Sequence, residues 1–147
     1  MDDHERVQQF RRQQAPQKEL DAIQAEVQAD QWERIAKEFK SPEQMSNAAT
    51  SRDRAEMARE AADKLHQMAG TKREDFYPQC VKAMRIQAEA LRGDLVILKE
   101  RAEHPDVYGG EPESLNFDVA ANEALHKALL VKADELEALL EDETASA

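Results

Sequence analysis

The chain is poor in the residues that build turns, strands and covalent staples. Its 147 residues include one cysteine, four glycines, five prolines and only 5% aromatics. A lone Cys80 excludes an intrachain disulfide and any cysteine-based zinc pattern. So little Gly and Pro leaves few turns, and no stretch alternates apolar and polar residues as a half-buried strand does. The longest apolar runs, Leu95–Leu98 and Ala128–Val131, fall far short of the roughly 20 residues that a membrane helix needs. The opening MDDHERVQQF is acidic and polar where a secretory leader is basic and then apolar. These absences lead us to expect a chain with no membrane partner, in a reducing, cytoplasmic compartment or within an intracellularly assembled particle.

Catalytic signatures are also missing. There is no G-x-S-x-G, no Gly-rich phosphate loop ahead of a helix, and no sequence neighbour that would activate Cys80. We therefore expect no catalytic residues, no cofactor and no enzyme activity. What the chain has instead is charge and helical periodicity. Charged residues make up 35%, with 31 acids against 20 bases and a net charge of −11. Residues 103–147 hold 12 acids but only Lys127 and Lys132 as bases, so the imbalance sits in the last third. Such a segment repels nucleic acid and lipid headgroups and steers a basic partner toward itself.

The periodicity predicts an all-α fold, an elongated four-helix bundle or paired helical hairpins with coiled-coil-like seams. Residues 1–16 read as a short helical arm ended by Pro16, 17–142 as the bundle domain and 143–147 as a frayed acidic tail. The first long helix, Gln17–Lys40, turns two apolar faces in succession. Leu20, Ile23 and Val27 lie on one face and Trp32, Ile35, Ala36 and Phe39 on another, so it either breaks near Asp30 or touches two partners. Ser41-Pro42-Glu43-Gln44 restarts a helix that Gly70 ends. An irregular patch is expected at Ser46–Ser51, and the stripe Ala55, Ala58, Ala62, Leu65 and Ala69 is small enough for close helix approach. From Pro78 the row Val81, Met84, Ala88, Leu91, Leu95, Leu98 and Ala102 steps by threes and fours without a miss. Gly93 costs that helix roughly 1 kcal/mol against Ala, which marks a close crossing. His104–Phe117 reads as one extended loop and Asp118–Asp142 as the last helix.

Metal-ligand chemistry has one foothold. Glu26 or Glu33, then Asp63 with His66, then Glu89, then Glu123 with His126 follow one another on the four helices. That order resembles the ferritin-like di-iron pattern, which implies a di-iron oxidase with Asp63, His66, Glu89, Glu123 and His126 as ligands. The seams argue against it, because Asp63 and His66 fall on a polar flank and Glu89 lies beside an entirely apolar seam. Buried carboxylates of such a centre must occupy core positions.

The primary reading is a scaffold or adaptor acting through protein–protein association, as a homo-oligomer or as a component of a larger viral or bacterial assembly. Its interface candidates are Trp32, Ile35, Phe39, Val96, Ile97, Tyr108, His126 and Leu140. The alternatives are an acidic inhibitor of a nucleic-acid-binding enzyme and an oligomeric DNA-binding adaptor of the packaging type. The latter draws on the locally basic segment around Arg52 and Arg54, though nucleic acid is disfavoured because the helix-turn-helix spacing and turn are wrong.

Overall fold

The structure, a computed structural model, describes the backbone of residues 1–146 and the side chains of residues 1–142. The described residues form helices and no strand: α1 (Asp3–Phe39), α2 (Pro42–Ala69), α3 (Tyr77–Glu103), a one-turn α4 (Pro105–Tyr108) and α5 (Pro112–Ser146). A 3-10 turn at Arg73–Phe76 leads into α3. The all-α expectation holds, and no helix among the described residues is long and apolar enough to cross a membrane.

Most boundaries have a local cause. Asp2 caps α1 by accepting from the Glu5 N–H at 2.8 Å, and Asp3 and Glu5 sit at the positive end of the helix dipole. Lys40, at φ 51°, ends α1; Ser41 then accepts from the Gln44 N–H at 3.2 Å with Pro42 in the first turn of α2. Gly70 closes α2 in the left-handed conformation that glycine adopts without strain.

Three expected interruptions, and the break left open near Asp30, are absent. α1 runs straight through Pro16, so residues 1–16 are its first turns rather than a separate arm. Gln8 Nε2 and Arg12 Nε both donate to the Ala69 carbonyl, at 3.1 and 3.4 Å. Those side chains satisfy a carbonyl that the end of α2 leaves without a helical partner, and they tie the early turns down. Nor does α1 break near Asp30, whose carboxylate accepts from Arg34 one turn on at 2.9 Å. α2 is continuous through Ser46–Ser51. The long loop shrinks as well, because α4 fills its first half and α5 begins at Pro112 instead of Asp118. Gly109 and Gly110 make the turn at positive φ, and Leu115 folds back, buried, against Gly110. At the other end the α5 backbone stays helical to Ser146, while the side chains of the expected tail, 143–147, lie outside the described residues.

The helices pack as two antiparallel hairpins, α1 with α2 and α3 with α5, joined mainly by α1 against α5. Ile23 and Val27 of α1, Cys80, Met84 and Ala88 of α3, and Leu129 and Ala133 of α5 form one buried cluster. α2 adds nothing to that cluster. It docks on α1 through alanines spaced seven apart on both helices: Ala15, Ala22 and Ala29 on α1, and Ala48, Ala55, Ala62 and Ala69 on α2, all buried. Methyl-sized seams permit helix axes to approach at the short end of the packing range.

Candidate functional site

Beside the alanines, the α1–α2 seam carries a second repeat of seven. Glu19, Glu26 and Glu33 on α1 face His66, Arg59 and Arg52 on α2, with closest approaches of 2.8, 2.7 and 2.7 Å. The rungs are graded in burial. Glu33 and Arg52 are each about 40% exposed, Glu26 and Arg59 are 27% and 17% exposed, and Glu19 is fully enclosed. An exposed rung contributes a few tenths of a kcal/mol, whereas enclosed charges depend wholly on their partners.

The inner rungs merge into one network. Arg59 Nη1 donates to Glu19 Oε1 at 2.8 Å and Nη2 to Glu26 Oε1 at 2.7 Å. His66 Nε2 lies 2.8 Å from the same Glu19 oxygen, and Nδ1 lies 2.9 Å from Thr71 Oγ1 in the turn after α2. A carboxylate only accepts, so Nε2 carries a hydrogen. The imidazole stacks on Phe76 with ring centroids 5.6 Å apart, and Lys132 of α5 stands 3.8 Å from Glu26. Burial works against the Arg59 charge, but the hydrogen bonds from Glu19 and Glu26 outweigh it and hold the guanidinium above the ordinary arginine range. Glu19 Oε2 and Arg59 Nε are buried without a hydrogen-bond partner among the described residues.

Two groups of α3 feel this network. Burial, and then the Glu19 charge, pushes the Cys80 thiol up to about 11. The same two causes raise the Tyr77 phenol. A nucleophilic thiol needs the opposite shift and an open approach, and Cys80 is 1% exposed. The cluster ties α1, α2 and the start of α3 together.

The five residues of the di-iron pattern do not converge. Asp63 pairs with Arg73 at 2.7 Å and lies 3.6 Å from Arg59. Glu89 pairs with Arg92, whose hydrogen bond holds its carboxyl below the usual range, and Glu123 pairs with Lys99 at 3.1 Å. His126 is half-buried on α5, near enough to Glu89 to act on its charge. His66 departs from the polar flank expected of it: at 4% exposure it is buried, because the α2 seam follows Ala48, Ala55, Ala62 and Ala69 and turns His66 toward α1. Among the described residues the one grouping of metal-ligating side chains is Glu100, Glu103 and His104, all exposed.

The interface candidates divide. Ile35 is fully buried, so it serves the interior and not a partner. Trp32, His126 and Leu140 are half-buried, with Leu140 packed on the core. Phe39 pairs with Phe117 at a centroid distance of 5.2 Å. Val96, Ile97 and Tyr108 remain outside, 64%, 61% and 52% exposed. Ile86, 60% exposed, belongs with them and went unremarked, although Ile86, Ala90, Gly93 and Ile97 repeat at helical spacing opposite the core stripe of α3. Of the nine bases between residues 34 and 73, Arg34, Arg52, Arg59 and Arg73 pair with acids of the chain. No family model, no curated protein and no solved structure matches this chain.

Proposed function

We propose that this chain is a non-enzymatic helical scaffold or adaptor that works by protein–protein association. The observation that carries the reading is the outward face of α3, where Ile86, Val96 and Ile97 stand more than half exposed on a helix whose other face lies in the core. The acid-rich α5 adds a surface for a basic partner, as in a component of a larger assembly.

Retention on immobilised protein, from extracts of the cells that make it, tests the reading. The wild type is compared with an Ile86→Asp/Ile97→Asp variant whose helicity is checked by circular dichroism. A protein held by the wild type and released by the variant is the expected result. The same proteins held equally by both would remove the α3 face from the function.

A further inference from the structure

We infer that the outward face of α3 docks against the same face of a second copy, antiparallel, about a two-fold axis passing between Leu91 and Arg92. The inference rests on the association reading and names its partner. Ile86, Ala90, Gly93 and Ile97 fall within about 60° of one another around an ideal helix, directly opposite Met84, Ala88 and Leu95 in the core. All four are exposed.

The stripe is a palindrome. A two-fold axis between Leu91 and Arg92 exchanges Ile86 with Ile97 and Ala90 with Gly93. Each isoleucine then meets an isoleucine of the other copy, and the two smallest residues meet at the centre, where the helices cross. A two-fold interface has to be self-complementary in this manner. Gly93 is otherwise unexplained, for a Cβ built there meets nothing within 4 Å. Within the protomer a helix-weakening glycine serves no packing purpose, whereas at a crossing point it permits close approach.

Charge agrees with the antiparallel sense. Lys82 and Glu100 flank the stripe on the same side, each about 50° from its midline. The axis brings Lys82 of each copy opposite Glu100 of the other, giving two symmetric ion pairs. A parallel pair would carry Lys82 and Glu100 of the second copy to the opposite flank and form neither ion pair. Arg85, Arg92 and Lys99 of α3 are already paired within the chain, whereas among the described residues neither Lys82 nor Arg101 forms an ion pair. Glu100 has only long contacts, 3.4 Å from the Tyr108 hydroxyl and 3.8 Å from His104. The outward row of α2, Met57, Ala61, Lys64 and Met68, has the same spacing but puts a lysine at its centre.

The area sets the strength. A helix the length of α3 is about 40 Å long and presents a strip about 10 Å wide, or roughly 400 Å² per copy. That is half the standard contribution, the size of a weak and reversible contact.

Sedimentation equilibrium over about 5–500 μM follows the association. The expected mass rises from 16.7 kDa toward twice that value. Gly93→Ala is expected to raise the melting temperature of the dilute monomer while weakening the dimer, two effects of opposite sign that a merely structural glycine would not produce. Gly93→Glu is expected to weaken the dimer at least about tenfold without loss of helicity, since its Cβ enters open space. Lys82→Glu is expected to weaken it, and Lys82→Glu with Glu100→Lys to restore it. A dimer indifferent to Gly93→Glu overturns this face but leaves association through another surface standing. A chain monomeric throughout overturns the self-docking, and the extract comparison above then decides association separately. Loss on Lys82→Glu without rescue by the exchange overturns the antiparallel sense.

Discussion

Arg59→Met is the substitution with the largest calculable consequence. Methionine keeps much of the aliphatic stem, so the packing loss is small and the change is one of charge. It removes the 2.8 Å and 2.7 Å hydrogen bonds to Glu19 and Glu26. Glu26 is 27% exposed and retains Lys132 at 3.8 Å, so water and a cation compensate it. Glu19 is fully enclosed and retains only His66. Removing one partner of an enclosed pair costs about 3–5 kcal/mol, because the other charge is stranded. For a chain of this length that lowers the melting temperature by about 10–20 °C. It is a large part of the roughly 5–15 kcal/mol that holds a domain folded.

The decisive measurement is a double-mutant cycle by urea denaturation followed at the helical circular-dichroism band. Glu19→Gln alone gives up a charge-assisted bond and is expected to cost about 1–3 kcal/mol. The double variant Arg59→Met/Glu19→Gln no longer has the stranded charge, so it is expected to be more stable than Arg59→Met, with a coupling of about 2–3 kcal/mol. The second mutation should thus restore stability. Costs that simply add, to within about 0.5 kcal/mol, would refute the argument that Arg59 is there to compensate Glu19.

Other outcomes follow from the same contacts. Ala62→Leu forces a larger side chain into the α1–α2 seam, where Ala62 is completely buried, and is expected to cost about 1–3 kcal/mol in the same urea assay; an unchanged midpoint would mean the seam is loose. Pro16→Ala returns an N–H to the interior of α1 and relieves its ring clash, for an expected gain of about 1–3 kcal/mol; destabilisation would mean that proline suits a bend at that point. Cys80 links stability to alkaline pH. Its thiol, ordinarily near 9.0, rises to about 11 when folded, so between those values the native state holds more protons than the unfolded chain. Stability therefore falls as pH rises through that window. Cys80→Ala is expected to flatten the slope there, leaving the contribution of Tyr77, whose phenol is also raised by burial, and an unaltered slope would assign the effect elsewhere.

How much of this could be read from the residues alone varied with the kind of signal. The core stripe of α3 was plain, because Val81, Met84, Ala88 and Leu95 repeat without interruption and all four are buried. Ser41 and Gly70 marked their helix ends because each solves a problem of unsatisfied backbone groups that only a few residue types solve. Proline misled at two places for one reason. It disrupts a helix interior but suits a first turn, so Pro112 opens α5 where a loop was expected, and Pro16 sits inside α1 where a stop was expected. The sequence cannot say which role applies until the packing on either side is known. The buried centre was harder still. Glu19 and His66 are 47 positions apart, and nothing local to either announces that a turn at Lys40–Ser41 will bring them together. Once that turn is placed, the seven-residue spacing of Glu19, Glu26 and Glu33 matches that of Arg52, Arg59 and His66, and the pairing becomes readable.

The two repeats on this seam divide the labour of specifying it. Alanines seven apart on both helices do not identify their own register, since a slip of one heptad still lays Ala15 on Ala62, Ala22 on Ala55 and Ala29 on Ala48. The charges are not so tolerant. The same slip would set His66 opposite Arg12 and Glu33 opposite Met45, losing a rung and placing two bases together. A slip the other way would leave Glu19, the residue that Tyr77 and Cys80 cover, without a basic partner on α2. Because that end of the hairpin is where α3 closes over the seam, the cost of mismatch is greatest where burial is deepest. Small side chains therefore set how near the helices come, and the graded ladder, anchored at its enclosed end by Glu19, sets where along each other they stop.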